Sequence, residues 1–564
     1  MLFSNRKTRM LGVLGGFGLL AAATLVSVST VHETQAVIVQ GQDLASAKVA
    51  VLAAGGIVTH ELGIIHAVGA RLSAEQLQSV RGDTRFRIYA DRSVKTSLLE
   101  FYDYDVNDGS IPGTHYPEQI GADRLHRQGI DGSGVTVAVL DTGIWRYNPV
   151  LDNDMNGRYR LAATYDATLP PDWWPEITYE TNGHGTHVSS VIASTVRSSY
   201  TGKVHGVAPN VDLVAVRAFG PDGQGTYSDA IRGLDWIVSH KDEYGIDVLN
   251  LSFSAPARSH YWDDPLNQAV MSAWKAGIVV VASAGNSGSE PMTVGVPGNL
   301  PYVVTVGATT DNNTLEDQTD DRLTTFSAAG PTYEGFVKPD LVAPGGHILG
   351  TTAHWYNLAV AHRDARIANQ HNLFVMSGTS QSAAVVSGVA ALILQADPTL
   401  TPDDVKCRLM ASARAASGAD GGHAYGILQQ GAGLVNAYDA VYSTETGCAN
   451  RGLDVAADLA GDRHYAGPVR TDADGNFYIE GPDGSLYSGS FLWSDSFLWS
   501  DSFLWSDSFL WSDSFLWSDS FLWSDSFLWS DSFLWSDSFL WSDSFLWSDA
   551  LTETVGINVW VPQE

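Results

Sequence analysis

Three short motifs hold the residues of this chain that are best suited to chemistry. They surround Asp141 in Asp-Thr-Gly, His184 in Asn-Gly-His-Gly-Thr-His, and Ser380 in Ser-Gly-Thr-Ser. A serine hydroxyl attacks a carbonyl carbon when a base takes its proton, and histidine is that base when a carboxylate orients its ring. The motifs therefore predict an acid, a base and a nucleophile for acyl transfer, in the chain order Asp, His, Ser.

Each motif alone has a second interpretation. Asp141 would also suit a turn, and Asp-Thr-Gly occurs in aspartic proteases, which need a second such motif that this sequence lacks. His184 and His187 are three residues apart and would share one face of a helix, as metal ligands can. No His-Glu-x-x-His pattern accompanies them, so we interpret His187 as a structural residue of the following helix.

The three motifs, their order and their spacing resemble the subtilisin-like serine proteases. A fourth motif, around Asn286 in Ala-Gly-Asn-Ser-Gly, resembles the oxyanion segment of that family. The resemblance implies that the side-chain N–H of Asn286 and the backbone N–H of Ser380 stabilise a tetrahedral intermediate. The chain departs from the family at Gln381, Ser382 and Ala384, where Met, Ala and Pro are usual, which puts packing and specificity in question more than the reaction.

The resemblance also implies a substrate cleft in which a polypeptide is added as a β-strand. Its walls would be formed by Gly223, Gln224, Gly225, Ser252, Phe253, Ser254, Ser283, Ala284, Gly285 and Gly295. The alternative is that these are ordinary loops and strand ends. Ser254 stands where the family usually has Gly, so we expect a narrower pocket for the residue before the cut. No motif places an acid at its base, so we expect an apolar preference.

No cofactor is expected for the reaction, but the family often binds structural calcium. Asp152, Asp154 and Asn156 repeat the opening of an EF-hand loop, yet Ala163 occupies its twelfth position instead of Glu. The acidic stretch 311–321 and the turn 472–476 are further candidates. Acidic turns of this kind are usually only solvated, so both interpretations stay open.

Short apolar runs alternate with amphipathic helices from 117 to 445. The runs at 135–140, 213–216, 246–253, 278–284 and 302–306 are rich in Val and Ile, as is typical of strands buried on both faces of a parallel sheet. Ser228 and Thr401 are predicted helix caps. We predict a three-layer α/β/α catalytic domain with a mostly parallel sheet.

A smaller unit precedes that domain. Residues 37–92 show the order β-α-β-β-α-β, a ferredoxin-like α+β pattern. Its position resembles the inhibitory propeptide of the family, and the alternative is an accessory domain. Residues 93–116 are rich in turns and predict a linker that contains the maturation site.

The N-terminus has the features of an export signal. Arg6, Lys7 and Arg9 precede an apolar run from 11 to 28, and Thr34-Gln-Ala36 suits a signal-peptide cut. We therefore predict a signal peptide over 1–36 and a secreted or cell-surface protein, with an uncleaved membrane anchor as the alternative. Cys407 and Cys448 can form a disulfide if the chain is exported, or else are two unrelated thiols.

The C-terminal part differs in composition. Residues 446–489 predict a linker or small module, the hexapeptide Ser-Phe-Leu-Trp-Ser-Asp then repeats ten times over 490–549, and 550–564 end the chain. The even period would put Phe, Trp and Asp on one face of an extended strand. The tail is therefore either β-structured or a poorly ordered sticky expansion. Surface attachment or self-association is its predicted role.

Composition limits the partners. The chain of 564 residues has a net charge of −31, which argues against nucleic acid, whose phosphates need Lys and Arg. The leading hypothesis is a secreted, self-processing serine endopeptidase with polypeptide substrates and its own propeptide as inhibitor. A non-catalytic peptide-binding protein on the same fold is the second hypothesis, and an adhesive protein displayed by its tail is the third. The protein would contact a membrane only through the signal segment or the tail.

Overall fold

The computed structural model describes residues 34–96, 100–101, 110–170, 179–311, 314–315, 321–370, 372–416, 424–480 and 486–488. The predicted signal peptide up to residue 33, the ten repeats and the C-terminal segment lie outside these residues. Thr34 to Ala36, the predicted cleavage motif, begin a strand. A cut after Ala36 would therefore leave Val37 to Gln40 of that strand.

The N-terminal unit is a four-stranded antiparallel sheet with two helices. Its elements are β1 (Thr34–Gln40), α1 (Leu44–Ala53), β2 (Ile57–Leu62), β3 (Ala67–Ser73), α2 (Ala74–Arg81) and β4 (Arg87–Ala90). The sheet order is β2-β3-β1-β4, which is the ferredoxin-like arrangement. Asp43 and Ser73 begin the two helices through capping boxes, which satisfy backbone N–H groups that lack partners in the first turn.

The rest of the described chain forms one α/β domain. Its strands are β5 (Ser93–Thr96), β6 (Glu100–Phe101), β7 (Thr136–Asp141), β8 (Leu161–Asp166), β9 (Asp212–Arg217), β10 (Gln224–Thr226), β11 (Ile246–Leu251), β12 (Phe253–Ser254), β13 (Val279–Ser283), β14 (Val304–Thr310), β15 (Arg322–Leu323), β16 (Leu341–Pro344), β17 (Ile348–Thr351), β18 (Leu373–Ser377), β19 (Arg470–Thr471), β20 (Phe477–Glu480) and β21 (Leu486–Ser488). Its helices are α3 (Tyr116–Gln119), α4 (Ala122–His126), α5 (Pro149–Asp152), α6 (His184–Ala193), α7 (Tyr227–Ser239), α8 (Lys241–Tyr244), α9 (Pro265–Lys275), α10 (Asn357–Ala361), α11 (Thr379–Ala396), α12 (Pro402–Ala411), α13 (Ile427–Gln430), α14 (Ala437–Tyr442) and α15 (Val455–Ala460).

The central sheet explains the apolar runs of the sequence. Its order is β15-β14-β13-β11-β7-β9-β8 with β16 beside β14, and its pairs are parallel except for β15. Every residue of β7, β13 and β14 is buried, as expected for strands with helices on both faces. Within the described residues, α11 alone has the length and apolarity to cross a bilayer, and it is largely buried in this core.

The described part of the larger domain has three smaller sheets besides the central sheet, and two of them include strands from the predicted linker. Strand β5 lies between β10 and β12 and pairs antiparallel with both, so that Lys95 is opposite Gln224 on one side and Ser254 on the other. Strand β6 pairs with the end of β18, with Glu100 opposite Ser377. The segment predicted as a linker therefore contributes strands to two sheets of the larger domain.

Residues 446–480 are not separate from the catalytic domain. Tyr465 is buried in the main core. The carboxylate of Asp458 accepts hydrogen bonds from Tyr261 at 2.6 Å and Tyr302 at 2.8 Å. A disulfide joins Cys407 of α12 to Cys448. The predicted boundary at 445 thus falls inside a packed unit, which the sequence did not indicate because the contacts are long-range.

Candidate active site

Asp141 and His184 meet at the end of a strand and the start of a helix. Asp141 is the last residue of β7 and His184 the first of α6. Both side chains are fully buried, and His184 Nδ1 lies 2.7 Å from Asp141 Oδ1. In this geometry the carboxylate fixes the ring so that Nε2 faces away from it and could act as a base.

Ser380 lies in the first turn of α11, the long core helix. Its hydroxyl donates a hydrogen bond to the backbone oxygen of Ser252 at 3.0 Å, and the Ser252 hydroxyl donates to the Ser380 oxygen at 2.9 Å. His184 Nε2 is buried and has no hydrogen-bond partner among the described residues. Hydrogen bonds of catalytic groups are often incomplete before substrate is correctly bound, so this arrangement is compatible with a base and a nucleophile.

Asn286 is oriented for anion binding by the residue before the serine. Its side-chain oxygen accepts from the backbone N–H of Thr379 at 3.0 Å and from the Thr379 hydroxyl at 2.8 Å. Its Nδ2 is buried and has no hydrogen-bond partner in the described parts of the chain. A buried amide without a partner is unusual unless a ligand supplies one. The Asn286 amide and the positive end of α11 can together stabilise a developing oxyanion.

The predicted cleft residues fall on β10, β12, β13 and the loops beside them. Gly223, Gln224 and Gly225 lie at β10, and Ser252, Phe253 and Ser254 at the end of β11 and in β12. Ser283, Ala284 and Gly285 follow along β13, and the Ser283 hydroxyl donates to the Phe253 oxygen at 3.1 Å. Gly295 is hydrogen-bonded to the segment after β13, because its N–H donates to the backbone oxygen of Ala284 at 3.1 Å.

Ser254 lies between the two glycines of the predicted pocket. A Cβ built on Gly295 would lie 2.1 Å from Ser254 Oγ, and one built on Gly285 would lie 3.0 Å from the same atom. The hydroxyl thus occupies space that two glycines leave open. The narrower pocket expected for the residue before the cut stays a prediction.

His187 is fully buried and has no access to solvent. Its Nε2 lies 3.2 Å from the oxygen of Phe374, and its Nδ1 lies 3.5 Å from the side-chain nitrogen of Gln381. Burial lowers the pKa of His187 to about 3, so the ring is neutral at ordinary pH. Gln381, one of the departures from the family pattern, therefore packs against α6.

In the candidate calcium loop the Asp154 carboxylate is engaged by its own turn, and calcium there stays a prediction. Asp154 Oδ1 accepts from the backbone N–H groups of Asn156 and Arg158 at 2.8 and 2.9 Å, and Oδ2 pairs with the Arg158 guanidinium at 3.1 Å. Burial raises the pKa of Asp152 to about 6. The described residues contain no group of three or more His, Cys, Asp or Glu that would hold an ion. Arg158 thus supplies a positive charge to this turn.

Sequence reasoning missed one buried carboxylate beside the pair. Glu180 precedes α6 and hydrogen-bonds to the segments of both Asp141 and His184, through Thr142 and Gly183. Its only sequence signal is its place four residues before His184 in a glycine-containing loop. That signal is weak because an acidic residue in such a loop is usually solvent-exposed.

Both the sequence and the fold of this chain are similar to those of subtilisin-like proteins. Residues 132–433 match the sequence profile described as the subtilase family. Serine protease AprX from Bacillus subtilis is 37% identical over 325 residues, which are 57% of this chain and 67% of that protein. Subtilisin E from the same species is 31% identical over 64% of this chain and 78% of its own length. The crystal structure of fervidolysin from Fervidobacterium pennivorans, titled a keratinolytic enzyme related to subtilisin, is similar in fold with a TM-score of 0.56 and 22% identity. That likeness covers 75% of this chain but only 62% of the fervidolysin chain.

Proposed function

Since this chain belongs to the subtilase family of serine peptidases, we propose that it is an exported endopeptidase that matures by cutting its own N-terminal segment. Asp141 orients His184, His184 takes the proton of Ser380, and the serine oxygen attacks the peptide carbonyl. Asn286 and the Ser380 N–H stabilise the oxyanion. His184 then protonates the leaving amine, and water hydrolyses the acyl-enzyme.

The position of β5 carries the self-processing part of the proposal. This strand comes from the chain's own N-terminal side and pairs with both walls of the cleft, as an added substrate strand would. The N–H of Thr96 donates to the oxygen of Gly223 at 3.1 Å. In the uncut chain Asp141, His184 and Ser380 are all fully buried, which supports a latent precursor.

The pairing register of β5 limits where the maturation cut can fall. Lys95 and Thr96 lie opposite Ser254 and Phe253, and the next residue along that wall is Ser252, which is hydrogen-bonded to Ser380. The chain is then paired with β18 from Glu100 onward. We therefore expect the cut at one of the four peptide bonds between Thr96 and Glu100, within the linker that the sequence predicted over 93–116.

The N-terminal unit has the contacts expected of an inhibitor. It binds α7 through His60 Nε2, 3.1 Å from Asp229 Oδ1, and through the N–H of Gly63, which donates to Asp235 Oδ2 at 3.0 Å. These polar contacts bury carboxylates that are solvated once the unit leaves. Burial raises the pKa of Asp235 in the intact chain. Such an interface suits a domain that folds with the protease and is later released.

The test compares full-length wild type, Ser380→Ala and Ser382→Ala. Ser382 is a matched control because it lies in the same helix and its hydroxyl donates to the Ala343 oxygen at 3.0 Å. We expect wild type and Ser382→Ala to acquire a new N-terminus between positions 97 and 100 and then to degrade casein, while Ser380→Ala stays whole and inert. Equal processing of Ser380→Ala, or an inert wild type, would contradict the proposal.

Export and the tail complete the proposal. The disulfide between Cys407 and Cys448 is consistent with an oxidising compartment, and the predicted signal peptide supplies the route. The ten hexapeptide repeats are proposed to attach the enzyme to a surface or to other copies. Deleting 490–549 tests this, since loss of attachment with intact peptidase activity is the expected result.

A further inference from the structure

We infer that Glu180 is a positioning residue that joins the segment of Asp141 to the segment of His184 and holds the two catalytic groups in register. The inference rests on the proposed function. Glu180 is only 4% exposed, although carboxylates are rarely buried without a reason. Its hydrogen bonds run to two parts of the chain that have to meet for proton transfer.

Both carboxylate oxygens are engaged. Oε1 accepts from the backbone N–H groups of Asn182 and Gly183, each at 2.9 Å. Oε2 accepts from the Thr142 hydroxyl at 3.0 Å and from the N–H and hydroxyl of Thr186, both at 3.3 Å. All five partners are N–H or O–H groups and none is a cation. Donors arranged in this way bind a negative charge and would fit a neutral side chain poorly.

The contacts to Gly183 and Thr186 replace a helix cap. Gly183 is the N-cap residue of α6 and has no side chain to accept the N–H groups of the first turn. Its φ of 109° lies in the left-handed region that favours glycine, so a capping Ser or Asp would be strained there. Glu180 supplies the acceptor from outside the helix, which fixes where α6, and so His184, begins.

The contact to Thr142 fixes the other half of the pair. The Thr142 hydroxyl donates to Glu180 and accepts the N–H of Gly185 at 2.8 Å, while the Thr142 N–H donates to Asp141 Oδ1 at 2.7 Å. That same oxygen receives the His184 ring. A single carboxylate therefore orients the threonine that links the end of β7 to the start of α6.

Glu180 also places a carboxylate near Asp141 and His184. Burial and the neighbouring Asp141 carboxylate raise the pKa of Glu180. Glu180 in turn adds to the effect of burial in raising the pKa of Tyr356, which packs over the same loop. In its ionised form Glu180 favours the imidazolium that forms when His184 takes the serine proton.

The experiment compares Glu180→Gln, Glu180→Asp and the control Glu334→Gln in the full-length protein. Glu334 is also a buried carboxylate, but it is hydrogen-bonded to His260 and the N–H of Tyr261 and not to the segments that carry Asp141 and His184. The readouts are kcat, KM and the pH profile of kcat/KM on a small peptide substrate, with the melting temperature. In the uncut Ser380→Ala background, ¹⁵N-histidine NMR follows the His184 ring against pH without any turnover.

We expect Glu180→Gln to lower kcat about tenfold or more with KM changed less than twofold, because an amide nitrogen in place of either oxygen loses two or three of the five hydrogen bonds to the carboxylate. The acidic limb of kcat/KM and the His184 NMR titration should both move to lower pH. Glu180→Asp should recover part of kcat, and Glu334→Gln should match wild type.

Two results would overturn the inference. One is a Glu180→Gln protein that melts earlier but keeps the kcat and the acidic limb of wild type, since this would be a purely structural role. The other is an unchanged His184 titration in the Ser380→Ala background. An inert wild type would contradict the proposed function instead, and the NMR comparison would still decide the role of Glu180.

Discussion

Replacing Ser254 by Gly should change which residue the enzyme accepts before the cut. The Ser254 hydroxyl lies in the gap between Gly285 and Gly295, 2.1 Å from where a Cβ on Gly295 would lie. The change removes two non-hydrogen atoms, Cβ and Oγ, from the pocket. One methylene more or less in a pocket of this kind changes discrimination by about 1–3 kcal/mol, or about 10–200-fold in kcat/KM. We therefore expect the ratio of kcat/KM for Phe over Ala to rise at least about tenfold.

The assay uses peptide p-nitroanilides that differ only in Ala, Leu or Phe before the scissile bond. Ser289→Gly is the matched control, because this serine follows the oxyanion segment and is exposed to solvent. Phe and Leu substrates should gain in kcat/KM while the Ala substrate changes little. A Phe-to-Ala ratio that stays within twofold of wild type would show that the hydroxyl does not limit the pocket.

Three further outcomes are expected. Asn286→Ala should lower kcat about 10²–10³-fold with little effect on KM, which is the size of loss known for removal of an oxyanion donor in subtilisin. Steady-state kinetics measures this loss. His187 has a folded pKa of about 3 against about 6.5 when unfolded, so the unfolded chain binds more protons and stability should fall as pH drops from about 6.5 towards 3. At pH 4.5 the loss is about 3 kcal/mol, and His187→Gln should flatten the dependence of melting temperature on pH. Replacing Cys407 and Cys448 together by Ser should lower the free energy of unfolding by about 4 kcal/mol, because the disulfide joins residues separated by 41 positions. Chemical denaturation measures this change, and an unchanged free energy of unfolding would contradict the prediction.

Local sequence signals predicted several elements well. Thr401 caps α12 as expected, with Asp404 completing a capping box. The cap predicted at Ser228 is wrong, since Thr226 begins α7 and Asp229 completes the box. Ile231, three residues after Ser228, has no group that would return a hydrogen bond to a cap at 228. The choice between two neighbouring hydroxyl residues thus depended on the residue three positions later.

The fold class was readable from the sequence, and the site residues could be predicted from it, because both depend on local patterns. Apolar runs of Val and Ile predict buried parallel strands, and the mostly parallel α/β sheet agrees with the family fold. Glycines beside Asp141, His184 and Ser380 mark tight turns where side chains approach closely. Such motifs can be recognised in the sequence because each depends only on residues adjacent in the chain.

Only the tertiary structure showed which distant groups share a space. Glu180 is an ordinary loop acid in the sequence, and its burial between β7 and α6 follows from packing. Ser254 enters the pocket because β12 lies beside Gly285 and Gly295, and β5 enters the cleft because β10 and β12 leave room for a strand between them. Contacts across tens or hundreds of residues carry no local pattern, so the fold has to bring the groups together before their chemistry can be read.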